Sequence, residues 1–540
     1  MKLYLAQINT TVGDFTGNTE RIVSACGGAA ARECDMVLLP EMATTGYPPR
    51  DLLFLRDFLD RNDTAVREVV TASAMWPELS VFLGCVVRVD GKLQNAAAII
   101  KDGKLLGHIA KTLLPTYDVF DELRYFQPAT SWLLPTWRGT QIGVTICEDL
   151  WDEGYAEKVV PRLVKMGANV IVSISASPFC AGKWNERREL LRRHATKSKV
   201  PLAYCNLVGS QSELVFDGGS MVVGRDGRLV ASAKSFEEDG VVVEYDPEAG
   251  DFVGEAEEPS VAFEEEVFSA LVLGTRDFHH KQGFAKCVIG LSGGIDSSLV
   301  AAVAARALGP ENVLGVAMPS RVSGFESTED ARMLAGNLGI EFAEMPIEDS
   351  VKHAEERYAR KFGLYAHPET RENLQARERG KILMEISNDQ NRLLLATGNK
   401  TEYALGYSTL YGDMCGALAV IGDVNKAEVY AVSRWVNSRF RNPIPQRVIT
   451  KKPSAELAPG QVDPFDYDVV SPLVDALVEE QASPEGLVRR GFSEDEVRRC
   501  AKLLFTSEHK RWQAAPALRV SRRAFGRGRQ MPLVSKYIPE

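Results

Sequence analysis

The sequence predicts two α/β units in one chain: a layered α/β sandwich over roughly the first 250 residues, then a doubly wound parallel sheet. Three observations carry this. The first half holds seven short β-rich segments with helix-length stretches between some of them. The stretch over 246–266 turns acidic, with Asp-Pro-Glu-Ala-Gly-Asp, Glu-Ala-Glu-Glu-Pro and Glu-Glu-Glu, and loses periodicity. Beyond it, strand-length and helix-length patterns alternate.

In order, strands are expected at 2–8, 36–40, 81–87, 96–100, 142–147, 170–175 and 202–207, with a helix over 184–199. Val89-Asp90-Gly91-Lys92 and Gly224-Arg225-Asp226-Gly227 carry hairpin chemistry. After the boundary the pattern gives helix 267–282, strand 287–291, helix 295–308, strand 313–318, helix 327–338 and strand 341–346. The division predicted is a first domain over 1–250, an acidic linker over 251–265 and a second domain over 266–540.

Composition bounds the function. Hydrophobic residues at 45% and charged residues at 25% are ordinary for globular domains with real cores, and exclude whole-chain disorder. A net charge of −10 argues against a non-specific nucleic-acid binder, so any phosphate must be met by a local pocket. The nine cysteines show no C-x-x-C pair, which fits a reducing cytoplasm. No uncharged apolar run reaches the roughly 18 residues of a membrane span, and residues 1–10 read as a strand, not a leader. No membrane or nucleic-acid partner is expected. The basic run Arg519 to Arg529, with its interleaved Gly and Phe, reads as a dinucleotide-facing or interface loop.

Leu291-Ser292-Gly293-Gly294-Ile295-Asp296-Ser297-Ser298 follows an apolar strand and opens an Ala-rich helix. Its glycines allow a tight turn, and its hydroxyls and helix-start amides can donate to phosphate oxygens. The G-x-x-x-x-G-K-[ST] pattern of γ-phosphoryl transfer is absent. The string resembles the loop of the ATP pyrophosphatase family, which grips the pyrophosphate leaving ATP on adenylation. That implies ATP as substrate, AMP and pyrophosphate as products, and Mg²⁺ held in part by Asp296.

Thr397-Gly398-Asn399-Lys400-Thr401-Glu402 and the Gly406-Tyr407 to Gly412-Asp413 stretch resemble the signature of the NAD synthetases. Asn373-Leu-Gln-Ala-Arg377, Asp423-Val-Asn-Lys426, Lys451-Lys-Pro-Ser454 and Lys510-Arg-Trp follow in that family's order. The resemblance implies an adenine nucleotide α-hydrolase-like fold. It places Ser292, Gly293, Gly294, Asp296, Ser297, Ser298 and Thr397 on ATP, and Asn373, Arg377, Glu402 and Lys510 on deamido-NAD. Lys426 and Ser454 fall beside the reacting phosphates, and Asp296 with Glu402 on the metal. Met414-Cys415-Gly416 after Asp413 matches the long two-domain branch, which favours glutamine over free ammonia as nitrogen source.

In the first half, Leu38-Leu-Pro-Glu41 and Ile142-Gly-Val-Thr-Ile-Cys147 each put a reactive side chain at an apolar strand end, and Lys111-Thr-Leu-Leu-Pro-Thr-Tyr117 supplies an amine followed by Pro and an aromatic. Together they resemble the Glu-Lys-Cys triad of the nitrilase and carbon-nitrogen hydrolase superfamily, over most of residues 1–245. The resemblance implies a four-layer α-β-β-α sandwich. Glu41 would be the general base, Cys147 the nucleophile and Lys111 the oxyanion stabiliser. It also implies a glutamine pocket of Tyr117, Glu148, Ser177 and Lys183.

Joined in one chain, the halves imply one reaction: glutamine yields ammonia, and an adenylated nicotinate carboxylate of deamido-NAD takes it up to give NAD. Ammonia is mostly protonated in neutral water, so a sheltered tunnel is expected, and the resemblance implies a homo-oligomer. The alternative is another glutamine-dependent ATP pyrophosphatase amidating a different nucleotide or small carboxylate; the Thr397–Glu402 stretch speaks against it. A silent dinucleotide sensor would carry a broken triad or loop, and neither is broken.

Overall fold

A computed structural model describes residues 1–539 and divides them into two compact units, Met1–Val261 and Ala262 onward. The first unit contains fifteen strands: β1 (Lys2–Gln7), β2 (Met36–Leu38), β3 (Ser80–Val89), β4 (Lys92–Lys101), β5 (Lys104–Ala110), β6 (Thr136–Trp137), β7 (Thr140–Ile146), β8 (Val170–Ser175), β9 (Leu202–Asn206), β10 (Val208–Gln211), β11 (Leu214–Asp217), β12 (Met221–Val223), β13 (Leu229–Ser232), β14 (Asp239–Asp246) and β15 (Asp251–Val253). Its helices are α1 (Phe15–Ala31), α2 (Arg56–Ser73), α3 (Val159–Lys165) and α4 (Lys183–Ser198).

The strands form a seven-stranded sheet, β15-β14-β1-β2-β3-β4-β5, a six-stranded sheet, β13-β12-β9-β8-β7-β6, and a separate β10-β11 pair. Strands β1, β2 and β3 run parallel, as do β7, β8 and β9. The period-two rule then assigns the layers. Leu3, Leu5, Met36 and Leu38 share one core with Val144, Ile146, Val172 and Ile174, between the sheets. Their neighbours Ala6, Val37 and Leu39 pack with Ile22 and Cys26 of α1 and Val69 of α2. On the far side, Ile171, Leu202 and Tyr204 pack with Val160 and Leu163 of α3 and Leu190 and Leu191 of α4. This is the four-layer α-β-β-α sandwich.

Asp90 and Gly91, at φ +49° and +76°, close the β3–β4 hairpin, as the Asp-Gly pair leads one to expect. The acidic stretch needs correction. Where a linker over 251–265 is expected, β15 pairs with β14, and the Phe252 ring packs on Tyr245 with centroids 5.6 Å apart. The Arg228 guanidinium adds hydrogen bonds to Asp251 Oδ2 at 2.9 Å and to the Phe252 carbonyl at 2.6 Å, so an aromatic and a cation hold this three-residue edge strand. At the other end Glu264, Glu265 and Glu266 are the first turn of a helix, where carboxylates oppose the positive end of the helix dipole. Only 254–262 connects the two elements.

The second unit begins with α5 (Phe263–His280), β16 (Lys286–Gly290), α6 (Ile295–Leu308), β17 (Val313–Ala317), α7 (Phe325–Leu338), β18 (Glu341–Glu344), α8 (Glu348–Phe362), α9 (Glu369–Gln390) and β19 (Arg392–Ala396). It continues with α10 (Lys400–Leu405), β20 (Leu418–Ala419), α11 (Lys426–Arg439), α12 (Gln446–Thr450), α13 (Tyr467–Val478), α14 (Pro484–Arg489), α15 (Glu494–Thr506) and α16 (Glu508–Arg511). Five parallel strands order as β18-β17-β16-β19-β20. The chain leaves β16 in one direction and returns to β19 on its other side, so the crevice beyond the ends of these two strands is the topological switch point. Val351 of α8 and Ile382 and Leu383 of α9 cover the face formed by Val288, Leu314, Val316 and Leu394. The sequence reading left the last quarter without elements. There Val470, Leu473 and Val474 of α13 and Val497 and Leu504 of α15 form a helical cluster around Ala404 and Leu405 of α10.

In the first unit, Gly84 on β3 lets two backbone segments pass closely. A Cβ there would lie 2.1 Å from the Pro40 carbonyl oxygen and 2.7 Å from Glu41 Cα. Gly84→Ala is therefore expected to push the 40–42 backbone outward, with an overpacking cost of about 1–3 kcal/mol measurable by denaturant unfolding.

Candidate active sites

In the first unit, three strand ends deliver three reactive groups. Glu41 lies just past β2, Lys111 follows β5 and Cys147 follows β7. Glu41 is fully buried and accepts three hydrogen bonds: from Lys111 Nζ at 2.8 Å, from Asn95 Nδ2 at 2.6 Å and from the Ala176 amide at 2.9 Å. Lys111 Nζ also donates to Glu122 Oε1 at 2.8 Å, which in turn accepts from the Tyr47 hydroxyl at 2.9 Å. Burial pulls the Lys111 ammonium down, but Glu122 and Glu41 together hold it well above its ordinary value. It stays a fixed positive charge.

Cys147 is buried and faces the charges of Glu41 and Lys111. Burial first, then Glu41, push its thiol well above the ordinary range, so the resting sulfur carries its proton. Its φ of +44° is a left-handed conformation that costs a non-glycine residue about 1–3 kcal/mol. Asp149 secures that turn. One carboxylate oxygen accepts from the Ile146 amide at 3.0 Å, and the other accepts from the amides of Thr112 at 3.0 Å and Leu113 at 2.8 Å. A single side chain thus ties the turn bearing the cysteine to the strand end bearing the lysine.

Of the residues named for the glutamine pocket, Tyr117, Glu148 and Lys183 gather at the same turn. The Tyr117 hydroxyl donates to both Glu148 oxygens, at 3.0 and 3.1 Å, and Tyr155 adds a third bond at 3.1 Å. Lys183 Nζ sits 4.0 Å from the centre of the Trp151 ring and 3.1 Å from Glu186. The amide of Ser177, next to Ala176, donates to Asn206 Oδ1 at 2.9 Å.

In the second unit the switch point collects the phosphate loop. Gly293 has φ +73°, and a Cβ there would lie 2.2 Å from the Ser327 carbonyl oxygen, so only glycine fits. Ser292 Oγ accepts from the Gly294 amide at 3.2 Å and lies 3.3 Å from Ser297 Oγ, while Ser298 Oγ donates to the Gly294 carbonyl at 2.8 Å. Facing the loop from the end of β19 come Thr397, Gly398 and Asn399. Asn399 Nδ2 donates to Asp296 Oδ1 at 2.9 Å, and Lys426 Nζ lies 2.5 Å from Asp296 Oδ2 and 3.4 Å from Glu402 Oε1. Burial, relieved by Lys426 and reinforced by Asp296, pushes the Glu402 carboxyl up to about 8.

The remaining predicted residues form two separate groups. Asn373 accepts from the Thr409 hydroxyl at 2.8 Å, Arg377 donates to the Leu410 carbonyl at 3.1 Å, and Lys510 donates to the carbonyls of Gly406 and Ser408, both at 2.7 Å. All three converge on the turn that follows α10. Ser454 instead bonds within its own segment, to the Gln461 carbonyl at 2.6 Å and the Glu456 amide at 3.1 Å.

Sequence reasoning missed Glu122, Asn95 and the role of Asp149. Glu122 sits in Asp-Glu-Leu-Arg, which matches no motif, and meets Glu41 and Lys111 only in the folded unit. Asn399 was readable as a cap, since Asn399 and Glu402 have the spacing of a reciprocal helix-start pair.

Residues 2–252 match the carbon-nitrogen hydrolase family and residues 267–514 the NAD synthase family. The chain is 43% identical to the glutamine-dependent NAD(+) synthetase of Synechocystis, covering 99% of both chains. It belongs to the glutamine-dependent NAD(+) synthetases. The Thermotoga maritima member is 41% identical over 99% of both chains. A glutamine-dependent NAD(+) synthetase structure from Acinetobacter baumannii, in complex with ADP, superposes with a TM-score of 0.80 at 34% identity, over 100% of this chain and 99% of that one. A Cytophaga hutchinsonii structure shares the fold, with a TM-score of 0.84 at 22% identity over 99% and 98%. The chain is thus a ligase that forms a C–N bond with glutamine nitrogen.

Two outcomes test the first site. Burial raises Glu148 from 4.5 to about 7 and Asp149 from 3.8 to about 7. Between those values the folded chain holds protons that the unfolded chain has released, so stability falls as pH rises through the window. Glu148→Gln should flatten that fall in melting temperature. Asp149→Asn turns an amide donor towards a backbone amide, an orphaned contact worth about 1–3 kcal/mol, and should slow glutamine hydrolysis with its KM little changed.

Proposed function

We propose that glutamine is hydrolysed at Cys147 and that its ammonia amidates deamido-NAD at the Asp296–Lys426 site, with ATP consumed to AMP and pyrophosphate. What supports the reading is a buried base, cation and thiol in one unit and, in the other, a phosphate loop facing a carboxylate-bound lysine.

Glutamine enters with its α-amino and α-carboxylate groups held by Tyr117, Glu148, Ser177 and Lys183. Because the resting thiol is protonated, deprotonation is coupled to attack. Glu41 takes the proton as sulfur bonds to the amide carbon, and the oxyanion is stabilised by Lys111. Two of the three donors of that ammonium already lie on Glu41 and Glu122, which fixes where the third points. The C–N bond breaks as Glu41 returns the proton to the leaving nitrogen, giving ammonia and a thioester. Glu41 then deprotonates the water that releases glutamate.

In the second unit, the loop of Ser292, Gly293, Gly294, Ser297 and Ser298 and the start of α6 bind the phosphates of ATP, with Thr397 beside them. Asn373, Arg377 and Lys510 frame the turn that receives deamido-NAD. Asp296 and Glu402 fit Mg²⁺, which is commonly held by one or two carboxylates together with substrate phosphates and water. When bound, the metal neutralises charge on the departing pyrophosphate. The nicotinate carboxylate attacks the α-phosphorus, pyrophosphate leaves, and ammonia displaces AMP. Lys426 offsets the charge that develops, and Ser454 is assigned to the same phosphates. The setting proposed is a reducing cytoplasm, which keeps the Cys147 thiol competent.

Measurement of NAD by HPLC, with glutamine or ammonium as nitrogen source, tests the division of labour. Cys147→Ala should abolish glutamine-driven synthesis and keep the ammonium-driven rate; equal loss of both would show the division to be wrong. Asp296→Ala should stop synthesis from either source while glutamine hydrolysis continues.

A further inference from the structure

Two stretches of the second unit repeat one pattern, Asn-Lys-x-Glu: Asn399-Lys400-Thr401-Glu402 and Asn425-Lys426-Ala427-Glu428. Each opens a helix with a reciprocal cap. Asn399 Oδ1 accepts from the Glu402 amide at 3.0 Å and Glu402 Oε2 from the Asn399 amide at 3.2 Å; the second pair repeats this at 2.9 and 3.1 Å. The two helix starts touch. The Lys400 amide donates to the Val424 carbonyl at 3.0 Å, and the Lys426 amide to Thr401 Oγ1 at 3.1 Å.

Their partners are exchanged. Asn399 donates to Asp296, and the ammonium on Asp296 is Lys426. Asn425 Nδ2 donates to Asp475 Oδ2 at 2.6 Å, and the ammonium beside Asp475, at 3.4 Å, is Lys400. Each lysine faces the carboxylate that the other stretch's asparagine holds. The surroundings differ, however. Lys426 meets Asp296 and Glu402 in the crevice. The Lys400 side chain is 1% exposed, with Glu479 at 2.5 Å, Asp423 at 3.4 Å and Ser521 Oγ at 2.9 Å. Asp423 also accepts from the Val520 amide at 2.9 Å and the Ser521 amide at 2.8 Å, so the same ammonium anchors the 520–521 backbone.

We propose that Lys400 is a positioning residue for the adenylating site: through Asp475 and Asn425 its buried ammonium fixes the start of α11, and so holds Lys426 against Asp296. This rests on the reading of Lys426 as the cation that acts on the phosphates of ATP. A lysine at the first position of a helix can leave its place by a small rotation of that helix start. Here the rotation is blocked from behind by a second lysine that substrate does not reach.

The experiment uses the full chain and ammonium-driven NAD synthesis, with kcat and KM for ATP measured separately and glutamine hydrolysis followed in parallel. Lys400→Met and Asp475→Ala should lower kcat by about tenfold or more with KM for ATP within about twofold, while glutamine hydrolysis is kept. Asp475→Asn, which still offers Asn425 an acceptor, should recover most of the loss. Leu473→Ala, in the buried face of α13, is the stability control. If it lowers the melting temperature as much as Asp475→Ala and also lowers kcat as much, Lys400 is merely structural and the inference falls. Parental kcat in both Lys400→Met and Asp475→Ala overturns it too. Should Lys400→Met fail to fold, the Asp475 pair decides alone. Lys426→Met separates the two layers. An active Lys426→Met refutes the underlying reading of the site, whereas an inactive one beside active Lys400 and Asp475 variants refutes only the positioning role.

Discussion

A lysine ammonium sunk among carboxylates recurs in both units of this chain, and the rest of the structure supplies what such a group demands. Lys111 lies between Glu41 and Glu122, Lys426 between Asp296 and Glu402, and Lys400 among Asp423, Asp475 and Glu479. Taking an ion out of water costs several kcal/mol, which attraction repays only when geometry is close and the remaining donors are satisfied. Each of these lysines therefore has its partners set by rigid elements. Removing one partner would leave an uncompensated charge, at a cost of about 3–5 kcal/mol.

The scaffolds meet that demand in different ways. In the sandwich, Glu41, Lys111 and Cys147 each follow a strand, so sheet registers fix three backbone positions at once. Gly84 lets β3 pass within contact of the Glu41 backbone, and the Asp149 carboxylate joins the Cys147 turn to the Lys111 strand end. In the second unit no strand carries the charged groups directly. Helix starts do so instead, and Asn399 and Asn425 set both the first turn of each helix and one aspartate beyond it.

How much of this was legible follows from the range of each interaction. Glu41 and Cys147 each end an apolar run, and a strand end is a local signal, while Lys111 and the triad as a whole were legible through the family resemblance of three short strings. The loop from Ser292 to Ser298 is likewise local, since its glycines and hydroxyls serve one turn. Glu122 and Asn95 could not be read, because nothing beside them in the chain marks a contact with Glu41 or Lys111. The linker was drawn too wide because composition alone does not separate three glutamates in solvent from three glutamates at a helix start. The Asn-Lys-x-Glu repeat stands open in the sequence, but the exchange of lysines between its copies is tertiary.

The charge balance also separates the two sites by what they still require. At Lys111, two carboxylates and one ammonium leave one surplus negative charge beside a thiol, and burial raises the Glu122 carboxyl in response. Burial and that surplus oppose a resting thiolate, and the Cys147 thiol is held well above its ordinary value. At Lys426 the same count of two carboxylates to one ammonium stands in the crevice at the switch point, and burial pushes Glu402 up to about 8. With Glu402 pushed up to about 8, Asp296 and Lys426 balance at neutral pH, and phosphate oxygens would add negative charge that Lys426, already paired with Asp296, does not meet. A cation arriving with the nucleotide would remove the conflict and return Glu402 to its charged form. On the proposed reading, the same two carboxylates would serve phosphate and cation together.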